Sequence, residues 1–297
     1  MALRIGISGW RYSPWRGKFY PPGLVQRREL EYASSVMDSI EINGSFYSLQ
    51  APASWKQWRD ATPEDFVFAV KGPRYVTHIL RLRQAEKALA NFFASGLLQL
   101  GPKLGPLLWQ LPPSMKYDAE LMEEFLDLLP RDTEAGLALA RRRERSRMAG
   151  RSSLRVPGRH RRLRHALEVC HDSFCTPAFI RQLRRHRIAL VVADAAGRFP
   201  YAEDVTADFL YLRLHGDAEL YVSGYSDQAL GRWSRRILEW SRGGEPSDAQ
   251  KISGSKPAAR KARDVYCYFD NDAKVHAPFD AIALRRKLDN AIRPSND

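Results

Sequence analysis

The 297-residue sequence predicts an α/β fold, a single-domain (β/α)8 TIM-type barrel over residues 1–297. Three observations predict it. Eight short apolar runs of strand character follow one another in order, and the stretches between them leave room for helices, the pattern of a parallel sheet. Eight such strands close into a cylinder and so remove both exposed sheet edges. The length lies within the range that a barrel of this kind reaches as one unit.

The strands are expected at Leu3–Ser8, 39–43, 66–71, 107–110, 166–169, Ala189–Asp194, 209–215 and 265–270. Between them, Ala85, Leu89, Phe92, Phe93 and Gly96 fall on one helical face, and Leu121, Met122, Phe125, Leu128 and Leu129 repeat that spacing. Thr176 before Pro177 reads as an N-cap with proline at the first helical position, opening a helix towards His186. The last two helices are expected over Asp227–Ser241 and 280–292. The weakest unit lies between the sixth and seventh strands, where 195–208 barely holds a helix.

Two segments read as excursions from this framework. Residues 243–263 are rich in Ser, Gly, Pro, Lys and Arg, a composition that buries little surface and predicts a flexible loop. Residues 141–164 contain 11 Arg and one acid, Glu144, so this Arg-rich loop holds +10 of the formal +13 (47 − 34) and the rest of the chain only +3. A solvated excursion is the expected reading. The alternative is a nucleic-acid-binding arm, but no aromatic residue interleaves with these arginines to stack on bases.

With 44% hydrophobic and 27% charged residues the chain has the make-up of a folded soluble protein. Cys170, Cys175 and Cys267 form neither a C-x-x-C pair nor a zinc spacing. No run approaches the roughly 18 apolar residues that a membrane span requires. Leu3, Ile5 and Ile7 begin the first strand close behind Met1, without the basic and apolar stretches of a leader. These features predict a cytoplasmic protein with no membrane partner, and they leave the oligomeric state open.

In this fold the C-terminal ends of the strands build the active site. Strand alternation places Glu41 and Asn43 on one face, with Ile40 and Ile42 on the other, and so puts a carboxylate inside the barrel. A buried carboxylate must be paired or hydrogen-bonded, and such surroundings shift its pKa. Glu168, between Leu167 and Val169, repeats the argument on the fifth strand. Glu41 and Glu168 are therefore expected to act as an acid/base pair, with His171 as a third catalytic group. The competing reading is a structural salt bridge, for instance between Glu41 and Lys71.

Lys71, Arg213 and His215 are suited to holding a carboxylate or phosphate, or to balancing Glu41, Glu168, Asp194 and Asp270. Trp10, Asn43, Tyr47, His78, Gln110, Asp194, Asn271 and Asp272 complete the expected substrate-binding set. A divalent metal on the carboxylates of Glu41 and Glu168, its shell completed by His171, His215 and Asp194, is the alternative use of those groups, without a tight ligand spacing to support it. No Gly-rich dinucleotide fingerprint or P-loop occurs, so no cofactor is indicated. Five aromatic residues within 10–20 follow the first strand and are suited either to stacking on a sugar or base or to covering the barrel mouth.

The chain resembles the YecE-like family, described as domain of unknown function 72. The resemblance rests on Gly6-Ile7-Ser8-Gly9-Trp10, Phe19-Tyr20-Pro21, Glu41-Ile42-Asn43 with Phe46-Tyr47, Lys71, Thr77-His78, Gln110-Leu111-Pro112-Pro113, Glu168 with His171 and Ser173-Phe174, Asp194, Arg213-Leu214-His215-Gly216, and Phe269 with Asn271-Asp272. It implies a TIM-type barrel and brings no established reaction. Two departures stand out: Cys170 occupies a position where the family pattern has Arg, and the segment before it is unusually Arg-rich.

The expected function is hydrolase, lyase or isomerase chemistry on a small anionic or sugar-like substrate. Glu41→Gln and Glu168→Gln are expected to leave the fold intact and remove turnover. The alternatives are a nucleic-acid binder using the Arg-rich and aromatic loops, or a barrel that keeps the shape without the reaction.

Overall fold

A computed structural model describes residues 1–292; the end of the expected domain, 293–297, lies outside the described residues. The eight strands form as β1 (Leu3–Ser8), β2 (Ser39–Ile42), β3 (Val67–Lys71), β4 (Leu104–Gln110), β5 (His165–Glu168), β6 (Ala189–Asp194), β7 (Phe209–Leu214) and β8 (Asp264–Phe269). Each pairs in parallel with its neighbours, and β8 returns to β1 to close the barrel. Only glycine fits at residue 6, where an added Cβ would lie 1.8 Å from the Ser39 carbonyl oxygen.

Alternation along the strands sorts the side chains into two layers. Ala69, Leu108, Ala166, Ala189, Val191, Ala193, Phe209, Tyr211, Tyr266 and Tyr268 form the barrel interior. Small residues on β3, β5 and β6 make room for the large rings of β7 and β8, so the interior is filled from one side. The other face of every strand joins the larger cluster beneath the helices, including Ile7, Ile40, Ile42, Trp109, Leu167, Val192 and Leu212.

Nine helices surround the barrel among the described residues: α1 (Glu29–Val36), α2 (Gly44–Tyr47), α3 (Pro52–Asp60), α4 (Glu86–Ala94), α5 (Ala119–Leu128), α6 (Thr133–Arg141), α7 (Pro177–His186), α8 (Asp227–Ser241) and α9 (His276–Ile292). Thr176 caps α7 as expected, accepting from the Phe179 amide at 3.2 Å. Gly96, expected on the face of α4, instead lies beyond the helix with φ 101°. α9 starts four residues before the expected position. No helix forms over 195–208, the unit predicted to be weakest.

The Arg-rich segment is more than a solvated excursion. Arg141 ends α6, and Met148 and Leu163 are buried against the core. Asn91 on α4 bonds Glu144 in both directions. At the far end Arg162 and Arg164 pair with Asp208 and Asp264, which precede β7 and open β8. Arg164 also stands over the Phe209 ring at 5.2 Å and reaches the Tyr266 hydroxyl, closing the N-terminal end of the barrel. Segment 243–263 is irregular, yet its centre is held by Glu203 and Asp204, which accept from the backbone amides of Gln250, Ile252 and Ser253.

Candidate active site

The strands whose inward positions near the C-terminal end are polar bring Ser8, Glu41, Gln110, Glu168, Arg213 and Asp270 to one level. Arg213 is fully buried at their centre. Its Nη1 donates to Glu168 Oε2 at 2.8 Å, its Nη2 to Glu41 Oε1 at 2.9 Å and Asp270 Oδ2 at 2.8 Å, and its Nε to Glu41 Oε2 at 3.2 Å. The guanidinium thus serves three carboxylates at once, a geometry its planar fork permits and an ammonium cannot match.

Both glutamates have further partners. Glu41 accepts from the Ser8 hydroxyl and, at 2.5 Å, from the Tyr211 hydroxyl. Glu168 accepts from Gln110 Nε2 and lies 2.8 Å from His215 Nε2. His215 Nδ1 is 3.2 Å from Asp270 Oδ2. Tyr221 and Phe199 flank the imidazole edge to face.

Burial opposes charge on every one of these groups, and the neighbours decide the outcome. Burial would raise Glu168, but the Arg213 charge and the His215 contact outweigh it and hold the carboxyl near 2. The same balance holds Asp270 well below the usual carboxylate range. Burial and Arg213 would lower His215, yet contacts with Asp270 and Glu168 raise it above its ordinary value. The expected acid/base pair is therefore bound into an ion-pair network around Arg213. Neither Glu41 nor Glu168 is exposed.

Above this floor opens a cavity of about 520 Å³, lined by Tyr12, Asn43, Phe46, Tyr47, Lys71, Arg74, His78, Gln110, Tyr221, Asp270 and Asp272. Lys71 ends β3 on the inward face, its Nζ 4.4 Å from the centre of the Phe46 ring. The competing reading of a structural salt bridge at Glu41 is met with another partner: Glu41 pairs with Arg213 and not with Lys71. Burial, reinforced by the Arg213 charge, lowers the Lys71 pKa against the pull of the three carboxylates. Burial, with the Asp270 charge beside it, pushes Asp272 up to about 6. His78 sits on a single π-helical turn, Tyr75–Ile79, with Nδ1 2.8 Å from the Thr77 hydroxyl; burial and the Lys71 charge lower its pKa.

Of the expected site residues, Asn43, Tyr47, Lys71, His78, Gln110 and Asp272 line this cavity, while Glu41, Glu168, Arg213 and His215 lie in the network beneath it. Four others are placed differently. Asp194 follows the outward parity of Val192 and accepts from Tyr225 on the helix side. Asn271 is likewise outward, donating to the Ser223 carbonyl and to Asp280 of α9. His171 accepts from the Ser173 amide and so caps a short turn. Trp10 packs edge to face on Trp58 and lines a neighbouring cavity.

Asp270, read only as an acid to be balanced, and Ser8, the end of the first strand, lie outside the expected site set yet are integral to the network. Inward parity on β1 and β8 was the available signal. Tyr221 comes from a loop with no local pattern to mark it. Cys170 is buried beside the network, where burial and the Glu168 charge raise its thiol pKa.

The metal shell weighed for His171, His215 and Asp194 is not assembled, because each bonds a different partner. Among the described residues, Glu123, Asp127 and His186 on α5 and α7 come close enough to share a cation. Arg185 already pairs with Glu123 and Arg131 with His186 Nδ1, so this is an ion-pair cluster.

Residues 4–296 match the family model described as protein of unknown function DUF72. The UPF0759 protein YunF of Bacillus subtilis is 30% identical over 116 residues, 37% of this chain and 40% of that protein. The UPF0759 protein YecE of Escherichia coli is 27% identical over 136 residues, 46% of this chain and 47% of that one. The matches thus span under half the length of these curated relatives. A DUF72 protein structure from Thermotoga maritima superposes with a TM-score of 0.72 at 25% identity, covering 97% of this chain and all of that one. A second, from Enterococcus faecalis, gives 0.65 at 18% identity, over 99% and 97% of the two chains.

Proposed function

The chain belongs to the DUF72 family, and we propose that its barrel mouth is the active site of an enzyme doing acid/base chemistry, of the hydrolase, lyase or isomerase kind, on a small anionic or sugar-like substrate. One observation carries this reading. A buried lysine and a carboxyl poised near pH 6, Lys71 and Asp272, face the same cavity above a floor of fixed charge. A group with a pKa near the working pH exchanges protons most effectively.

Arg74 gives one wall positive character suited to an anion, while Tyr12, Phe46, Tyr47 and Tyr221 supply flat apolar surface for a sugar ring. Asn43 donates to Ser8, and its own Oδ1 is buried without a partner, which leaves an acceptor for a ligand hydroxyl. Glu41 and Glu168 are positioning residues in this reading: they hold Arg213 and His215 and set the field of the floor. The nucleic-acid alternative has less support, since Arg142, Arg162 and Arg164 are spent on acids of the chain itself.

The test is mass spectrometry and elemental analysis of purified protein for a co-purifying small molecule, followed by binding of that molecule to Lys71→Met and Asp272→Asn. Loss of affinity in both variants with retained fold is expected. Unchanged affinity in both sinks the assignment of the mouth.

A further inference from the structure

We propose that Lys71 is a nucleophile that forms an imine with a carbonyl-bearing substrate in the barrel mouth. The inference rests on the acid/base reading of that mouth and narrows it to lyase or isomerase chemistry. The two buried lysines of the chain show the contrast that carries it. Lys103 has its ammonium held by three acceptors, the Arg59 and Thr62 carbonyls at 2.6 Å and the Thr62 hydroxyl at 3.1 Å, the arrangement of a structural cation. Lys71 is equally buried, at 8% exposed, but among the described residues its Nζ makes no hydrogen bond and no ion pair. The three nearby acids pair with Arg213 and His215, so among the described residues only the face of the Phe46 ring, 4.4 Å away, favours Lys71 as an ammonium.

A lysine kept from water, next to a permanent cation and facing a cavity, has the surroundings that favour free amine. Burial and the Arg213 charge lower its pKa accordingly. In the step proposed, the amine lone pair attacks the carbonyl carbon, and a proton passes from nitrogen to the carbonyl oxygen to give a carbinolamine. Asp272 then donates a proton to the departing hydroxyl, which leaves as water, and the nitrogen lone pair forms the C=N bond. The resulting protonated imine accepts the electron pair of an adjacent C–H or C–C bond and becomes an enamine, while the Asp272 carboxylate takes up the proton released from that carbon or from the hydroxyl of the departing carbonyl fragment. Return of a proton to the enamine carbon restores the protonated imine, and addition of water then reverses the earlier steps and frees Lys71. Arg74 and His78, on the same wall, suit a substrate that also carries an anionic group.

The experiment needs no known substrate. The intact protein is incubated at pH 7 with glyoxylate, a small anionic aldehyde, and sodium cyanoborohydride, and N-carboxymethylation of each lysine is followed by peptide mass spectrometry. Lys71 should react several-fold faster than exposed Lys18 and Lys116, since burial and the Arg213 charge lower its pKa and leave more of it as free amine at pH 7. In Lys71→Arg the fast phase should vanish while modification of Lys18 and Lys116 continues unchanged. Lys71 modified no faster than those two overturns the proposal. A slow Lys71 in ligand-free protein that still binds its co-purifying molecule at the mouth sinks the imine alone and leaves the broader reading standing.

Discussion

Arg213 and Glu41, 172 residues apart in sequence, meet through two contacts inside the barrel, Nη2 to Oε1 at 2.9 Å and Nε to Oε2 at 3.2 Å, with neither side chain exposed. Because Glu168 and Asp270 hold the same guanidinium, one cation bridges three acids carried at the ends of β2, β5 and β8.

Arg213→Met should therefore be severely destabilising. It leaves Glu41, Glu168 and Asp270 buried without their shared partner, and breaking a buried pair on one side costs about 3–5 kcal/mol. Chemical denaturation against the parent protein measures it; a variant within about 1 kcal/mol of the parent would mean the network adds little to stability.

Glu168→Gln should cost stability as well, against the simpler expectation that the carboxamide leaves the fold untouched. Glu168 has its folded pKa depressed from 4.5 to about 2. Its contribution is thus present above the unfolded value and lost as pH falls through the folded one. Unfolding free energy should decline between about pH 5 and pH 2, and less steeply in the variant. His215 works in the opposite sense: its pKa is raised, so its contribution is full below 6.5 and is lost as pH rises through the folded value. Denaturation curves across pH 3–9 for parent, Glu168→Gln and His215→Gln separate the two limbs; identical acid limbs in parent and Glu168→Gln would refute the assignment.

The period-two alternation of β-strands explains both what was legible in the sequence and what was not. It placed Glu41 and Arg213 inside the barrel from one line of residues, because Ile40, Ile42, Leu212 and Leu214 mark the opposite face so clearly. Followed one residue further it also decides the cases that went astray. Asp194 shares the parity of Val192, and Asn271 that of Phe269, so both point to the helices, while Asp270 shares that of Tyr268 and points inward. His171 lies past the end of β5, where alternation no longer holds and the turn to Ser173 sets its direction. Partner choice was not legible: nothing local distinguishes an Arg213 that binds three acids from a Lys71 that binds none.

Asp272 should titrate near pH 6 in the ligand-free protein, because burial and the Asp270 charge both oppose its ionisation. Carboxyl-carbon NMR of protein labelled at aspartate, with Asp272→Asn to assign the resonance, reads this directly. Asp270→Asn should move the midpoint down if the neighbouring charge contributes; an unchanged midpoint would leave desolvation as the sole cause.

The arginines of the basic segment should divide sharply in their effect on stability. Arg164 is about one-quarter exposed, pairs with Asp264 at 2.7 Å, bonds the Tyr266 hydroxyl and covers the Phe209 ring, so Arg164→Ala removes a charge pair and the cover of the barrel's N-terminal end together. Arg162 makes its pair with Asp208 largely in solvent, where such contacts are worth under about 1 kcal/mol. The Arg147 guanidinium stands 5.9 Å from the centre of the Tyr75 ring and, among the described residues, makes no salt bridge. Denaturation midpoints should therefore fall clearly for Arg164→Ala and scarcely move for Arg162→Ala or Arg147→Ala. Equal, small effects at all three positions would return the whole segment to the role of a solvated loop.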